Sequence, residues 1–263
     1  MRREYKYLIH QKDIDQLRKR ITPFVTVDNF ASEGNQYTVR SIYFDTSKLK
    51  YYNEKVEGFK IRKKLRVRGY NELGDESVVF LEIKRKYENH IDKNRSALKY
   101  YNLNDLLSTS DLESYCLTEN GFQNSVEDGE KFLHHIHKNS LKPIILVVYE
   151  REAYYSKFDA GLRLTFDKNL RYLLFPSLDK LYTEEDMKYT MPKYFIFEIK
   201  FFRGFPKWLQ SAIQDLNISR MALSKYTLCL DNEKIFNRVN LKFKSGMMKS
   251  IRASLSKSED EIF

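Results

Sequence analysis

The stretch KIRKKLRVRGY, Lys60 to Tyr70, decides how this chain is read. In an extended segment side chains alternate between two faces. Lys60, Arg62, Lys64, Arg66 and Arg68 then share one side, and Ile61, Leu65 and Val67 share the other. The apolar side calls for a core. A cation at every second step on the opposite side calls for an anion.

The same two-faced pattern recurs along the chain. VVFLEIKRK (78–86) puts Glu82, Lys84 and Lys86 on one face, and YFIFEIKFF (194–202) does so with Glu198 and Lys200, opposite Phe195, Phe197, Ile199 and Phe201. Near the start, Glu4 and Lys6 share a face. VRSIYFDT (39–46), IILVVYEREAYY with Arg151, and LRLTFDKNLRYL with Arg163 and Arg171 also read as strands. DIDQLRKRITPF reads as a helix with Asp13 as N-cap and Ile14, Leu17 and Ile21 as its stripe. Helical spacing returns between Leu103 and Lys142, with Asn104 and Ser125 in cap-like places, and in FPKWLQSAIQDLNI, with Trp208, Leu209, Ala212, Ile213 and Leu216 as its apolar side.

Composition bounds the function. The chain has 263 residues, 42% hydrophobic and 14% aromatic, as a globular protein does. It carries 46 Lys and Arg against 36 Asp and Glu, a formal charge of +10, which favours an anionic partner. No apolar run reaches the roughly 18–20 residues of a membrane span, and the N-terminus lacks a signal-peptide pattern. Two cysteines make neither a disulfide framework nor a zinc site, which fits a cytoplasmic protein. P-loop, dinucleotide, zincin and hydrolase-elbow motifs are missing. HHIH (134–137) lies on a helical pattern whose spacing does not converge on a metal.

Two β-rich halves separated by helices fit two sheets or one closed sheet. In the closed arrangement the apolar faces lie outside beneath helices, and the charged faces line a wet basic interior large enough for a small ligand. Arg offers phosphate oxygens a planar fork. Carboxylates among the cations, Glu4 and Glu198 above all, suit Mg²⁺ or Mn²⁺, which share oxygen ligands between protein and phosphate. Glu82 reads as an internal ion-pair partner. A nucleic-acid-binding β domain fits less well, because the face opposite the cations holds Ile, Leu and Val rather than base-stacking aromatics.

The ordered series REYKYLI, SIYFDT, KKLRVRGY, FLEIKRK, VVYEREAY, LRLTFD, FIFEIKF, PKWL and LSKYTL resembles the vacuolar transporter chaperone (VTC) polyphosphate polymerase domain, within the triphosphate tunnel metalloenzymes. The resemblance covers about residues 1–230. It implies an α+β fold: a closed antiparallel eight-stranded β-barrel with helices packed outside and a C-terminal helix near the tunnel end. Residues 1–236 would form that domain and 237–263 a helical or frayed tail that could meet a membrane-associated partner. By motif, the resemblance assigns phosphate contacts to Lys6, Lys64, Arg66, Arg68, Lys84, Arg151, Arg163, Ser224 and Lys225, with Lys200 completing the catalytic set. Glu198, with Glu4, would hold Mn²⁺ or Mg²⁺. Lys60 and Arg62 would lie nearer the tunnel mouth.

The implied activity is transfer of the ATP γ-phosphate onto a growing inorganic polyphosphate chain, in a stand-alone protein without a transmembrane segment or nucleic-acid partner. Two alternatives use the same residues: hydrolysis of triphosphate or nucleoside triphosphates, and polyphosphate binding without turnover. Many tunnel hydrolases begin Glu-x-Glu-x-Lys. Here the series is Arg2-x-Glu4-x-Lys6, which fits the polymerase branch better.

Overall fold

Alternating apolar residues do form strands in the computed structural model, which describes residues 2–28, 35–88, 90–119, 121–214, 216 and 218–233. In chain order the elements are β1 (Arg3–His10), α1 (Ile14–Ile21), β2 (Val25–Val27), β3 (Gln36–Asp45), α2 (Lys50–Val56), β4 (Ile61–Tyr70), β5 (Val78–Tyr87) and β6 (His90–Lys99). Then come α3 (Leu103–Thr109), α4 (Leu112–Tyr115), β7 (Cys116–Leu117), α5 (Ser125–Lys138), β8 (Lys142–Ser156), β9 (Arg163–Leu174), β10 (Lys188–Tyr189), β11 (Tyr194–Phe201), α6 (Lys207–Gln214) and α7 (Lys225–Asp231).

The expected closed eight-stranded barrel is not what forms. The strand order is β1-β11-β9-β8-β3-β4-β5-β6-β7, with β10 on β9 and β2 on β8. Eleven strands are present among the described residues, and the terminal strands β1 and β7 do not pair, so the sheet is open. Its physical reason lies at the ends: β7 is only two residues long, and the edge of β1 away from β11 is taken by a bridge from Tyr7 to Arg220 and by the Met221 amide on the Lys6 carbonyl. The α+β class and the antiparallel ladders hold.

The chain divides into two compact units, and β3, β8 and β9 each run from one into the other. The first comprises residues 1–39, 148–171 and 187–223. Its core is the apolar face read from the sequence: Phe195, Phe197, Ile199 and Phe201 of β11, Leu164 and Phe166 of β9, and Tyr7 and Ile9 of β1. Leu17 and Ile21 of α1 and Leu209 and Ala212 of α6 cover it. Trp208 stacks on Phe24 with ring centroids 4.5 Å apart. Asp13 does precede α1, but its side chain makes no capping bond.

The second unit comprises residues 40–147, 172–186 and 224–263, of which the tail expected at 237–263 lies outside the described residues. Leu65 and Val67 of β4 and Val79, Leu81 and Ile83 of β5 are buried on one face. On β6 the same face carries Asn94, Ser96 and Leu98, by register opposite Ile83, Leu81 and Val79. Helix α5 packs there at backbone range. Ser125 Oγ accepts from the Ala97 amide at 2.7 Å and donates to the Ala97 carbonyl at 3.2 Å. So Ser125 is a buried clamp rather than the cap expected of it; Asn124 is the N-cap residue. Asn104 likewise lies inside α3, preceded by Asn102 as N-cap. Gly129 explains how α5 comes so close: a Cβ there would stand 2.5 Å from Leu112 Cδ2 and 3.1 Å from Ser96 Oγ.

No described helix is long and apolar enough to cross a membrane. The first unit's core makes a direct stability prediction. Phe166 is fully buried and packs on Phe195, Phe197 and Tyr154. Phe166→Ala should cost about 3–5 kcal/mol in urea unfolding, through lost burial and an unfilled cavity.

Candidate functional site

The residues expected to bind phosphate and metal fall into two groups, one on the polar sheet face of each unit. In the second unit the centre is Glu82, 1% exposed on β5. β4 offers Arg66 directly across the ladder and Arg68 beyond it, and β6 offers Arg95 across the other side. Glu82 Oε2 accepts from Arg66 Nε at 2.7 Å, and its Oε1 accepts from Arg95 Nε at 3.0 Å. Lys93 Nζ lies 2.8 Å from Oε1, and Arg68 Nε 3.7 Å from Oε2. Burial opposes ionisation of Glu82, but Arg68, Arg66, Lys93 and Arg95 outweigh it and hold the carboxyl well below its usual range.

Further cations gather around this core. Lys84 lies opposite both Lys64 and Lys93 in the ladders. Lys64 donates to Ser224 Oγ at 2.6 Å. Ser224 is buried and caps α7, accepting from the Thr227 amide. Burial would raise the Tyr43 hydroxyl, yet Arg66, Arg68 and Lys225 pull it below the usual tyrosine value. Tyr43 also accepts from Arg66 Nη1 at 2.9 Å. Thus Lys64, Arg66, Arg68, Lys84, Ser224 and Lys225 fall into one group, apart from Lys6, Arg151 and Arg163 of the first unit.

The order Ser224-Lys225-Tyr226 is anchored from below. Tyr226 Oη donates to Asp45 Oδ2 at 2.7 Å, and its ring stacks on Tyr43 with centroids 5.0 Å apart. Asp45 also accepts from the amides of Thr46, Tyr51 and Tyr52 at 2.7–2.9 Å, tying the start of α2 to the same point.

In the first unit β1 and β11 pair so that Lys6 faces Glu198 and Glu4 faces Lys200. Lys6 Nζ lies 2.7 Å from Glu4 and 3.3 Å from Glu198, and it donates to the Leu223 carbonyl at 3.2 Å. Lys200 pairs with Glu198 as well. Burial pulls both ammonium groups down. At Lys6, Glu198 and Glu4 outweigh burial and raise it above the ordinary lysine value; at Lys200, burial wins and lowers it. Arg151 forms a two-point ion pair with Asp167, at 2.6 and 2.8 Å. Arg163 donates to Asp28 at 2.7 Å and to Tyr37 at 3.1 Å.

Two carboxylates, Glu4 and Glu198, therefore converge on one cationic point now held by an ammonium group. That donor set fits a hard divalent ion taking its other oxygens from phosphate and water. Among the described residues there is no group of three or more His, Cys, Asp or Glu side chains that could hold a metal. Burial and nearby cations push His135 down to about 4, and His134 and His137 are exposed.

Lys93, Arg95, Tyr43, Asp45, Asp28 and Asp167 complete these faces without having been picked out in the sequence. Lys93 and Arg95 alternate with Asn94 and Ser96, small polar residues that conceal the strand's buried side. Asp45 had a readable signal, a carboxylate between a strand and a helical pattern.

Residues 1–232 match the family model of the VTC domain. Subunit 4 of the vacuolar transporter chaperone complex of Trypanosoma brucei brucei is 28% identical over 202 residues, covering 65% of this chain and 25% of that protein. Subunit 2 of the complex of Saccharomyces cerevisiae is 27% identical over 158 residues, covering 54% and 19%. The chain thus spans a quarter or less of the length of these curated relatives. Among solved structures, a Hippeastrum protein described as a candidate adenylyl cyclase that reveals a dominant triphosphatase activity aligns over 89% of this chain and 97% of its own, with a TM-score of 0.46 and 12% identity.

The depressed Glu82 carboxyl fixes the sign of a pH dependence. Its stabilising contribution is complete above the unfolded pKa of about 4.3 and is lost as pH falls through the lower folded value. Glu82→Gln should destabilise the protein by about 3–5 kcal/mol at neutral pH, because buried cations lose their counter-charge. Measured by urea unfolding, the difference from the unsubstituted protein should stay constant between pH 5 and 7, about one to three units above that reference pKa, and shrink in acid.

Proposed function

The chain belongs to the VTC-domain family, and from that premise we propose that it transfers the γ-phosphoryl group of ATP onto a growing inorganic polyphosphate chain. The observation that carries the proposal is the gathering of cations around the buried carboxylate Glu82. A face that gathers Lys64, Arg66, Arg68, Lys84, Lys93 and Arg95 around this buried acid suits a polyanion. The charge repeats along the strands, which suits a repeating anion better than a compact one.

Phosphoryl transfer asks the protein mainly for alignment and for charge stabilisation of the equatorial oxygens. Arg66 and Arg68 supply planar forks, and Glu82 fixes the orientation of Arg66. Lys64, steered by Ser224, and Lys225 offer mobile point charges. On the first unit's face Lys6, Lys200, Arg151 and Arg163 are held by carboxylates and can align phosphate oxygens. Glu198 and Glu4 would hold Mn²⁺ or Mg²⁺, which supplies neutralisation of phosphate charge when bound. A terminal phosphate of the chain is already anionic at neutral pH and can attack without a general base. The relatives are named as subunits of a complex, and this supports a partner subunit here as well.

Incubation of the purified protein with ATP and Mn²⁺, followed by electrophoresis of the products and ADP assay, tests the reading. Polymer and ADP in step are expected. Free phosphate without polymer would instead make the protein a hydrolase, and binding without turnover would make it a binding module. Arg66→Ala and Glu198→Ala should each lower turnover by about a hundredfold, the scale of losing one charge-stabilising group.

A further inference from the structure

One buried hydroxyl on the first unit's polar face makes no hydrogen bond among the described residues. Thr165 of β9 is 1% exposed, and its Oγ1 has no hydrogen-bond partner among the described residues. Such a group costs about 1–3 kcal/mol when left unsatisfied, and valine would fill the same space without that cost. Its side of the strand is fixed by its neighbours: Leu164 and Phe166 enter the core, so Thr165 lies with Arg163 and Asp167 on the polar face.

The ladders place it further. Thr165 stands directly opposite Glu198, which stands directly opposite Lys6, and the next pair along is Arg163 with Lys200. Directly opposed side chains in antiparallel strands have Cβ atoms about 4.5–5.5 Å apart. Arg163 adds a second observation. Its Nη2 is engaged by Asp28 and Tyr37, while its Nε is buried without a partner. Two hydrogen-bond donors, two residues apart on one face, are therefore unsatisfied beside the lysines.

The geometry points to Thr165 as a further phosphate-binding residue, whose hydroxyl donates to an oxygen of a phosphate seated on this face beside Arg163. The inference rests on the phosphate-binding reading above and adds to it a neutral donor that no charge pattern reveals. A neutral hydroxyl donates to phosphate without adding to the repulsion between Lys6, Lys200 and Arg163, and its branched side chain is already held by the strand.

Calorimetric titration of Thr165→Val and Thr165→Ser with inorganic triphosphate, with and without Mn²⁺, tests it together with melting of the ligand-free proteins. Thr165→Val should melt at the same or a higher temperature, yet bind triphosphate about tenfold more weakly in both titrations, the loss of one good hydrogen bond to a charged group. Thr165→Ser should bind like the unsubstituted protein. Unchanged affinity in the valine variant overturns the inference while leaving the phosphate-binding reading intact. A lower melting temperature for that variant overturns it too, since the hydroxyl would then serve the fold. A loss confined to the Mn²⁺ titration moves the hydroxyl to a metal-bound water and overturns the assignment to phosphate. An unsubstituted protein that binds no triphosphate under either condition overturns both the inference and the reading beneath it.

Discussion

Five charges meet at Glu82, and much of the second unit is arranged around that meeting. Arg66, Arg68, Lys93 and Arg95 come from strands on either side of it, on faces whose reverse sides are packed with Leu65, Val67, Leu81 and Ile83. Withdrawing cations from water costs several kcal/mol each unless a counter-charge lies within reach. Glu82 offsets part of that cost, and it does so from beneath the guanidinium groups, orienting them as it pairs.

The first unit solves the same problem differently. Lys6, Lys200, Arg151 and Arg163 are matched by Glu4, Glu198, Asp167 and Asp28, so cations and carboxylates come in equal numbers among these pairs. A balanced face holds its cations in place through these pairs.

Much of this was legible in the sequence, because strand alternation is a strict rule. The two faces of β4, β5 and β11 followed from every second residue, and the internal role of Glu82 followed from the cations around it. The group Lys64, Arg66, Arg68, Lys84, Ser224 and Lys225 was assembled from short motifs whose order resembles a known family. Closure of the sheet was not legible, since alternation describes a strand and its face but not which strands pair last. A two-residue β7 leaves no hydropathy signal at all. Lys93 and Arg95 were missed because β6 buries Asn94 and Ser96, and buried polar residues mimic a loop until their partners are known. Asp28 and Asp167 gave no signal either, since a carboxylate that pairs across many residues looks like any other.

The close seating of α5 on β6 has a consequence for how the cation face is made at all. A β-strand that slips by one residue turns every side chain to the opposite face. Such a slip in β6 would bury Lys93 and Arg95 beneath α5 and hand Asn94 and Ser96 to the face that carries Glu82. Ser125 gripping both polar groups of Ala97, with Gly129 admitting the helix to that distance, makes the slipped pairing sterically and electrically untenable. A serine and a glycine on a distant helix thereby act as the proofreading of a strand alignment.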